Sequence, residues 1–130
     1  LKTNPEITGA TGSSSSDPAG IGRAVEEAGL NDVVAVVGTS IPSNSGDLLK
    51  TGAVDLAMAW DPAAAGYACN MIIEYMLKGI PITEGMDLNM PEQYPGYESV
   101  TLSEGPNGIT VVTGSAWIKI TADNMDNYPF

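Results

Sequence analysis

Three times along the first part of the chain, an apolar stretch gives way to a polar loop and then to helically spaced apolar residues. Residues 7–12 (ITGATG) lead into SSSSDPAG and the helical pattern IGRAVEEAGL. Residues 33–38 (VVAVVG) lead into TSIPSNSG and DLLKTG, and residues 56–60 (LAMAW) into a helix over 62–78. Short, nearly continuous apolar strands alternating with helices predict βαβ units and a parallel sheet covered on both faces. Gly29, Gly52 and Gly79 stand just past the three helical patterns, where a left-handed cap is wanted.

Beyond Gly79 the pattern changes. Residues 80–98 (IPITEGMDLNMPEQYPGYE) are rich in turn formers and predict a loop over the surface. A hairpin follows, with strands over 100–102 and 109–112 around the turn Pro106-Asn107-Gly108, and another extended piece over 116–120. Thr121 carries an N-cap signal for one helical turn near the end. The reading is a three-layer α/β/α parallel sheet over residues 1–80. The loop, β-hairpin appendage and tail of residues 81–130 would pack on it or on a hinge.

At 130 residues the length suits one domain that buries roughly two thirds of its unfolded surface. With 43% hydrophobic and 16% charged residues, the composition is globular. The net charge of −11 opposes binding to phosphate backbones and anionic lipid surfaces, so neither nucleic acid nor direct membrane insertion is expected. No apolar run is long enough to span a bilayer. The opening LKTNPEI reads as a helix tail turning into a strand, without a secretion signal, as in a chain cut from a longer protein. A lone cysteine, Cys69, excludes an internal disulfide and reads as a small buried hydrophobe. Without histidine, the Ser-His-Asp and Cys-His arrangements are impossible within the chain. The glycine-rich segment lacks the phosphate-loop lysine and spacing, and no cofactor or metal is expected.

Ligands of an open parallel sheet bind beyond the carboxyl ends of its strands. Two loops there share one device, Ser16-Asp17-Pro18-Ala19 and Trp60-Asp61-Pro62-Ala63. Aspartate at the N-cap followed by proline starts a helix, which suffices to explain Asp17 and Asp61 structurally. A cap does not need Trp60 before it, nor four serines, Ser13 to Ser16. An indole face beside carboxylates and hydroxyls suits a polyhydroxylated small molecule, its C–H face on the ring and its hydroxyls on the carboxylates. Trp60 as plain core or interface is the competing reading.

The segments 7–30, 33–79 and the tail TADNMDNYPF together resemble the C-terminal part of sugar-type solute-binding proteins of ABC transporters. The branch is that of the ribose, rhamnose and autoinducer-2 receptors. The strongest pieces are LLKTGAVDLAMAW and WDPAAAGY. The resemblance implies one lobe of a type 1 periplasmic-binding-protein fold, not an enzyme, located in the periplasm or anchored as a lipoprotein outside the cell. Its partners would be an ABC permease and an N-terminal lobe of the same protein, closing over a small sugar. By position Asp17 matches the family's cleft aspartate, and Trp60 stands where ribose-type members place a polar ligand contact. Where the autoinducer-2 branch contributes a proline and a small residue, this chain has Ala10-Thr11-Gly12. Expected ligand contacts are therefore Thr11, Ser13, Ser16, Asp17, Trp60 and Asp61. Two alternatives are the sensor core of a LacI-type transcription regulator and a small α/β sugar-acting enzyme.

Overall fold

The computed structural model describes residues 3–130; the helix tail read into the opening residues lies partly outside them, and Thr3, Pro5 and Glu6 lie in turns. The chain divides into two compact units, residues 1–59 with 118–130, and residues 60–117. The polypeptide therefore passes between them twice, at 59/60 and at 117/118. This division differs from the boundary expected near residue 80: the third helix goes with the loop and hairpin.

In the first unit, β1 (Gly9–Gly12), β2 (Ala35–Thr39) and β3 (Leu56–Ala59) run parallel in the order of the sequence. Helices α1 (Asp17–Glu27) and α2 (Pro42–Lys50) pack against these strands and each other. The parallel α/β arrangement read from the sequence is what the structure contains. One strand was not foreseen as part of it: β6 (Ile118–Ile120) returns to pair antiparallel with β3. The core gathers Val25, Val34, Val36, Leu48, Leu49, Val54, Ala57, Ile120 and Met125. Val34 and Val36 point inward while Ala35 is exposed and Val37 half-buried.

The second unit holds α3 (Pro62–Leu77), the loop, and the hairpin of β4 (Thr101–Glu104) with β5 (Thr110–Thr113). Leu88, Val100 and Ala68 are its buried centre, ringed by Met71, Ile72, Tyr75, Met86 and Tyr97. The loop is fastened by backbone bonds: Gly85 N–H to Val100 O, Val100 N–H to Met86 O, and Leu88 N–H to Tyr97 O. The hairpin turn takes the form its sequence asks for, with Asn107 and Gly108 both at positive φ (62° and 73°).

All three helices end alike. The N–H of Gly29, Gly52 and Gly79 donates to the carbonyl three residues back. The N–H of the next residue donates to the carbonyl five back, the pairing that satisfies the last turn of a helix.

Two expectations are corrected. Cys69 is exposed: the buried residues of α3 are Ala64 and Ala68, and Cys69 lies about 100° around the helix from Ala68. Thr121 does not cap the final turn, a 3₁₀ turn over Met125–Asn127. Instead the Asn124 side-chain carbonyl accepts from the Thr121 N–H at 2.9 Å, and the Met125 N–H reaches the Thr121 carbonyl.

Candidate functional site

Four of the expected contacts lie within seven consecutive residues of the first unit, from β1 to the start of α1. Thr11 is exposed near the end of β1, Ser13 and Ser16 are exposed in the loop after it, and Asp17 opens α1 half-buried. The loop is a closed local turn: the Ser14 N–H donates to Asp17 Oδ2 at 3.0 Å and the Asp17 N–H donates to the Ser14 carbonyl at 3.0 Å. Ser14 and Ser16 share a hydroxyl hydrogen bond at 3.2 Å.

Asp17 and Asp61 therefore do not use the same device. Ser16, not Asp17, holds the N-cap position of α1 and makes no side-chain cap bond. Asp17 is the first helical residue, with Pro18 after it. Asp61 is a true N-cap, its Oδ1 accepting from the Ala63 N–H at 2.7 Å with Pro62 as the first helical residue. What draws Asp17 inward is Gly12. A Cβ on Gly12 would lie 2.2 Å from the Asp17 Cβ, so only glycine lets the helix start this close to the strand end. Gly38, the register partner of Gly12 on β2, is equally constrained.

Two residues that sequence reasoning missed hold the loop from behind. Ser40, fully buried after β2, donates its hydroxyl to the Ser15 carbonyl at 2.8 Å, and the Asn44 amide reaches the same oxygen at 3.4 Å. With its backbone tied down this way, the loop leaves Ser13 to Ser16 exposed. Both residues sit in TSIPSNSG, Ser40 in the loop after β2 and Asn44 in the first turn of α2, and that shared sheet edge was the available signal.

Trp60 and Asp61 belong to the second unit. Trp60 is 54% exposed and meets Trp117 edge to face, ring centroids 5.8 Å apart and planes at 88°. Trp117 was not singled out from the sequence. The alternation in AWIKI would have found it, since Ile118 and Ile120 turn inward while Trp117 and Lys119 face out.

The segment before Trp117 is braced. The Ser115 N–H donates to the Gly96 carbonyl at 2.6 Å, and the Glu98 carboxylate grips the Gly96 N–H at 2.9 Å. Hydrogen bonds from its own backbone N–H and then from that of Gly96 hold the Glu98 carboxyl below the ordinary glutamate range. A lowered native value means that the brace contributes fully above the ordinary range and is lost as pH falls through the lowered value. Tryptophan fluorescence should therefore show an acid transition below the ordinary glutamate range. Glu98→Gln should remove it; an unchanged transition in that variant would assign it elsewhere.

Depressions of about 330 and 460 Å³ on the first unit are lined by Asn4, Ile7, Leu30 and Val33 in one case and by Arg23, Glu26, Asp47 and Lys50 in the other. Neither includes Thr11, Ser13, Ser16 or Asp17. The loop is an open surface of hydroxyls and a carboxylate, suited to hydrogen-bonding a polyol. Among the described residues no cluster could hold a metal ion, and no helix is long and apolar enough to cross a membrane.

Residues 1–81 match the family model for the periplasmic binding protein domain. The chain belongs to that family. Three solved structures of similar fold cover nearly all of it. LsrB from Clostridium saccharobutylicum in complex with AI-2 is 20% identical over the whole chain, with a TM-score of 0.63. A sugar ABC transporter from Actinomyces odontolyticus is 22% identical over the whole chain, also at 0.63. An ABC transporter solute binding protein from Clostridium phytofermentas with bound L-rhamnose is 16% identical over 98% of the chain, at 0.64. The chain spans 42%, 39% and 41% of the lengths of these three proteins, about two fifths in each case. No curated protein sequence matches it.

Proposed function

We propose that this chain is part of an extracytoplasmic sugar receptor serving an ABC permease, and that Thr11, Ser13, Ser16 and Asp17 bind the hydroxyls of its ligand. The observation that carries this reading is the serine–aspartate loop, its backbone tied down by buried Ser40, with Ser13 and Ser16 exposed and Asp17 half-buried at the start of α1. It stands at the carboxyl end of a parallel strand, where such sheets take their ligands. Membership of the periplasmic binding protein domain family supports it. The similar structures with AI-2 and L-rhamnose bound suggest a ligand of that kind: a deoxyhexose, a pentose or autoinducer-2. Trp60 and Asp61 are proposed as further ligand contacts. A receptor of this class works outside the cytoplasmic membrane, as a periplasmic protein or a cell-surface lipoprotein. The remaining length of its relatives fits a second lobe of the same polypeptide, since enclosure supplies much of a small ligand's buried surface.

Calorimetric titration of the full-length gene product with L-rhamnose, D-ribose and autoinducer-2 tests this. One of them should bind in the micromolar range or tighter. No heat from any of the three at millimolar concentration would sink the proposal.

Asp61 separates cap from contact. Asp61→Ala should cost about 1 kcal/mol in urea unfolding for the lost Ala63 N–H bond. If Asp61 also binds sugar, affinity falls well beyond what that loss of stability explains.

A further inference from the structure

Trp60 and Trp117 each leave about half of their surface exposed, 54% and 53%. Ala59 faces Ile118 in the β3–β6 ladder, and one further step of that register sets Trp60 opposite Trp117. A cross-strand pair at this point needs only two residues of modest size, so the fold does not account for two indoles. Nor is Trp117 exposed through slackness. A Cβ on Gly96 would lie 2.7 Å from the Ala116 Cα, and one on Gly114 would lie 2.5 Å from the Tyr97 ring. With the Gly96–Ser115 hydrogen bond and the Glu98 grip, these contacts fix the backbone that presents the ring.

We propose that Trp117 is a second ligand-contacting and specificity-determining residue, and that the perpendicular indole pair selects sugars carrying an apolar substituent at the ring edge. This inference rests on the reading that Trp60 contacts a sugar. At 88° the pair offers two apolar walls meeting in a corner, where a flat stack would offer one. One wall takes the C–H face of a pyranose ring, and the other meets the substituent at its edge. A methyl group loses nothing on entering such a corner. A hydroxymethyl group must turn its hydroxyl out of the corner or give up hydrogen bonds to water against the two ring faces, a cost that a methyl group does not meet. The class favoured is therefore a deoxyhexose over its fully hydroxylated parent.

The test uses two sugar pairs that differ by a single hydroxyl, L-rhamnose with L-mannose and L-fucose with L-galactose, titrated into the full-length gene product. The native protein should prefer the deoxy member of one pair by about ten-fold or more. Trp117→Ala should bring that ratio close to one, and Trp117→Phe should keep most of it. Because the ratio compares two ligands in one folded variant, a loss of stability alone does not move it. An unchanged ratio in Trp117→Ala, or a native preference for the hydroxylated sugar, overturns the inference. If D-ribose or autoinducer-2 binds while neither pair does, the inference fails and the receptor reading stands. If no sugar binds, the receptor reading itself has failed.

Discussion

Gly38→Ala is expected to destabilise the protein by about 3 kcal/mol, the upper part of the range for overpacking a tight contact. The added Cβ would lie 2.3 Å from the Gly12 carbonyl oxygen and 2.9 Å from both the Gly12 nitrogen and the Pro18 Cγ. Two of those atoms are backbone, and the third is a proline ring at the start of α1. None can swing aside as the end of a flexible side chain would. Relief requires moving β1 away from β2, or α1 away from the sheet edge, and either displaces the serine loop. Gly20→Ala is the matched control: it lies inside α1 with nothing within 4 Å of its added Cβ. That change should stabilise by about 0.5–1 kcal/mol through helix propensity and reduced freedom of the unfolded chain. Urea unfolding of the two variants should give shifts of opposite sign. Equal small shifts would mean that the β1–β2 edge is looser than the structure has it.

Asp17→Asn is expected to cut sugar affinity by about 10- to 100-fold, the equivalent of losing one or more hydrogen bonds to a charged acceptor. Asparagine keeps a side-chain oxygen for the Ser14 N–H, so the turn that shapes the loop survives. What disappears is the negative charge and one acceptor facing the ligand. Stability should therefore change by less than about 0.5 kcal/mol, as for a surface replacement. Thermal melting beside calorimetry separates the two effects. A variant that binds normally would reduce Asp17 to a loop-forming residue.

The features that a local pattern controls were legible in the sequence. The three parallel strands, the helices and the glycines past their ends follow from apolar stretches and left-handed caps within a few residues of one another. Asn107-Gly108 likewise set its own turn. What escaped depends on contacts between distant residues. The three-residue β6 pairs with a strand some sixty positions earlier in the chain, and nothing in Ile118-Lys119-Ile120 names that partner. The helix α3 is apolar around most of its circumference, with Ile73, Met76 and Leu77 exposed, so its pattern neither assigned it to a unit nor showed that Cys69 faces out. The Asp-Pro-Ala repeat looked like one device used twice, yet only Asp61 caps. The difference lies in the close approach of Gly12 to Asp17, which is a matter of packing. Ser40 and Asn44 were overlooked because their target is a carbonyl in another loop. In the candidate site, then, the residue types that suit a sugar were readable, while the residues that hold them in place were not.

Residue-resolved mapping of the ligand contacts asks most directly whether this chain binds sugar through its serine loop. The full-length gene product would be labelled with ¹⁵N and titrated with the sugar that binds it. The backbone amides of Ser13 to Asp17 should show the largest shifts, saturating with the calorimetric Kd. Shifts confined to other residues, with the Ser13–Asp17 amides unmoved at saturation, would contradict the proposal.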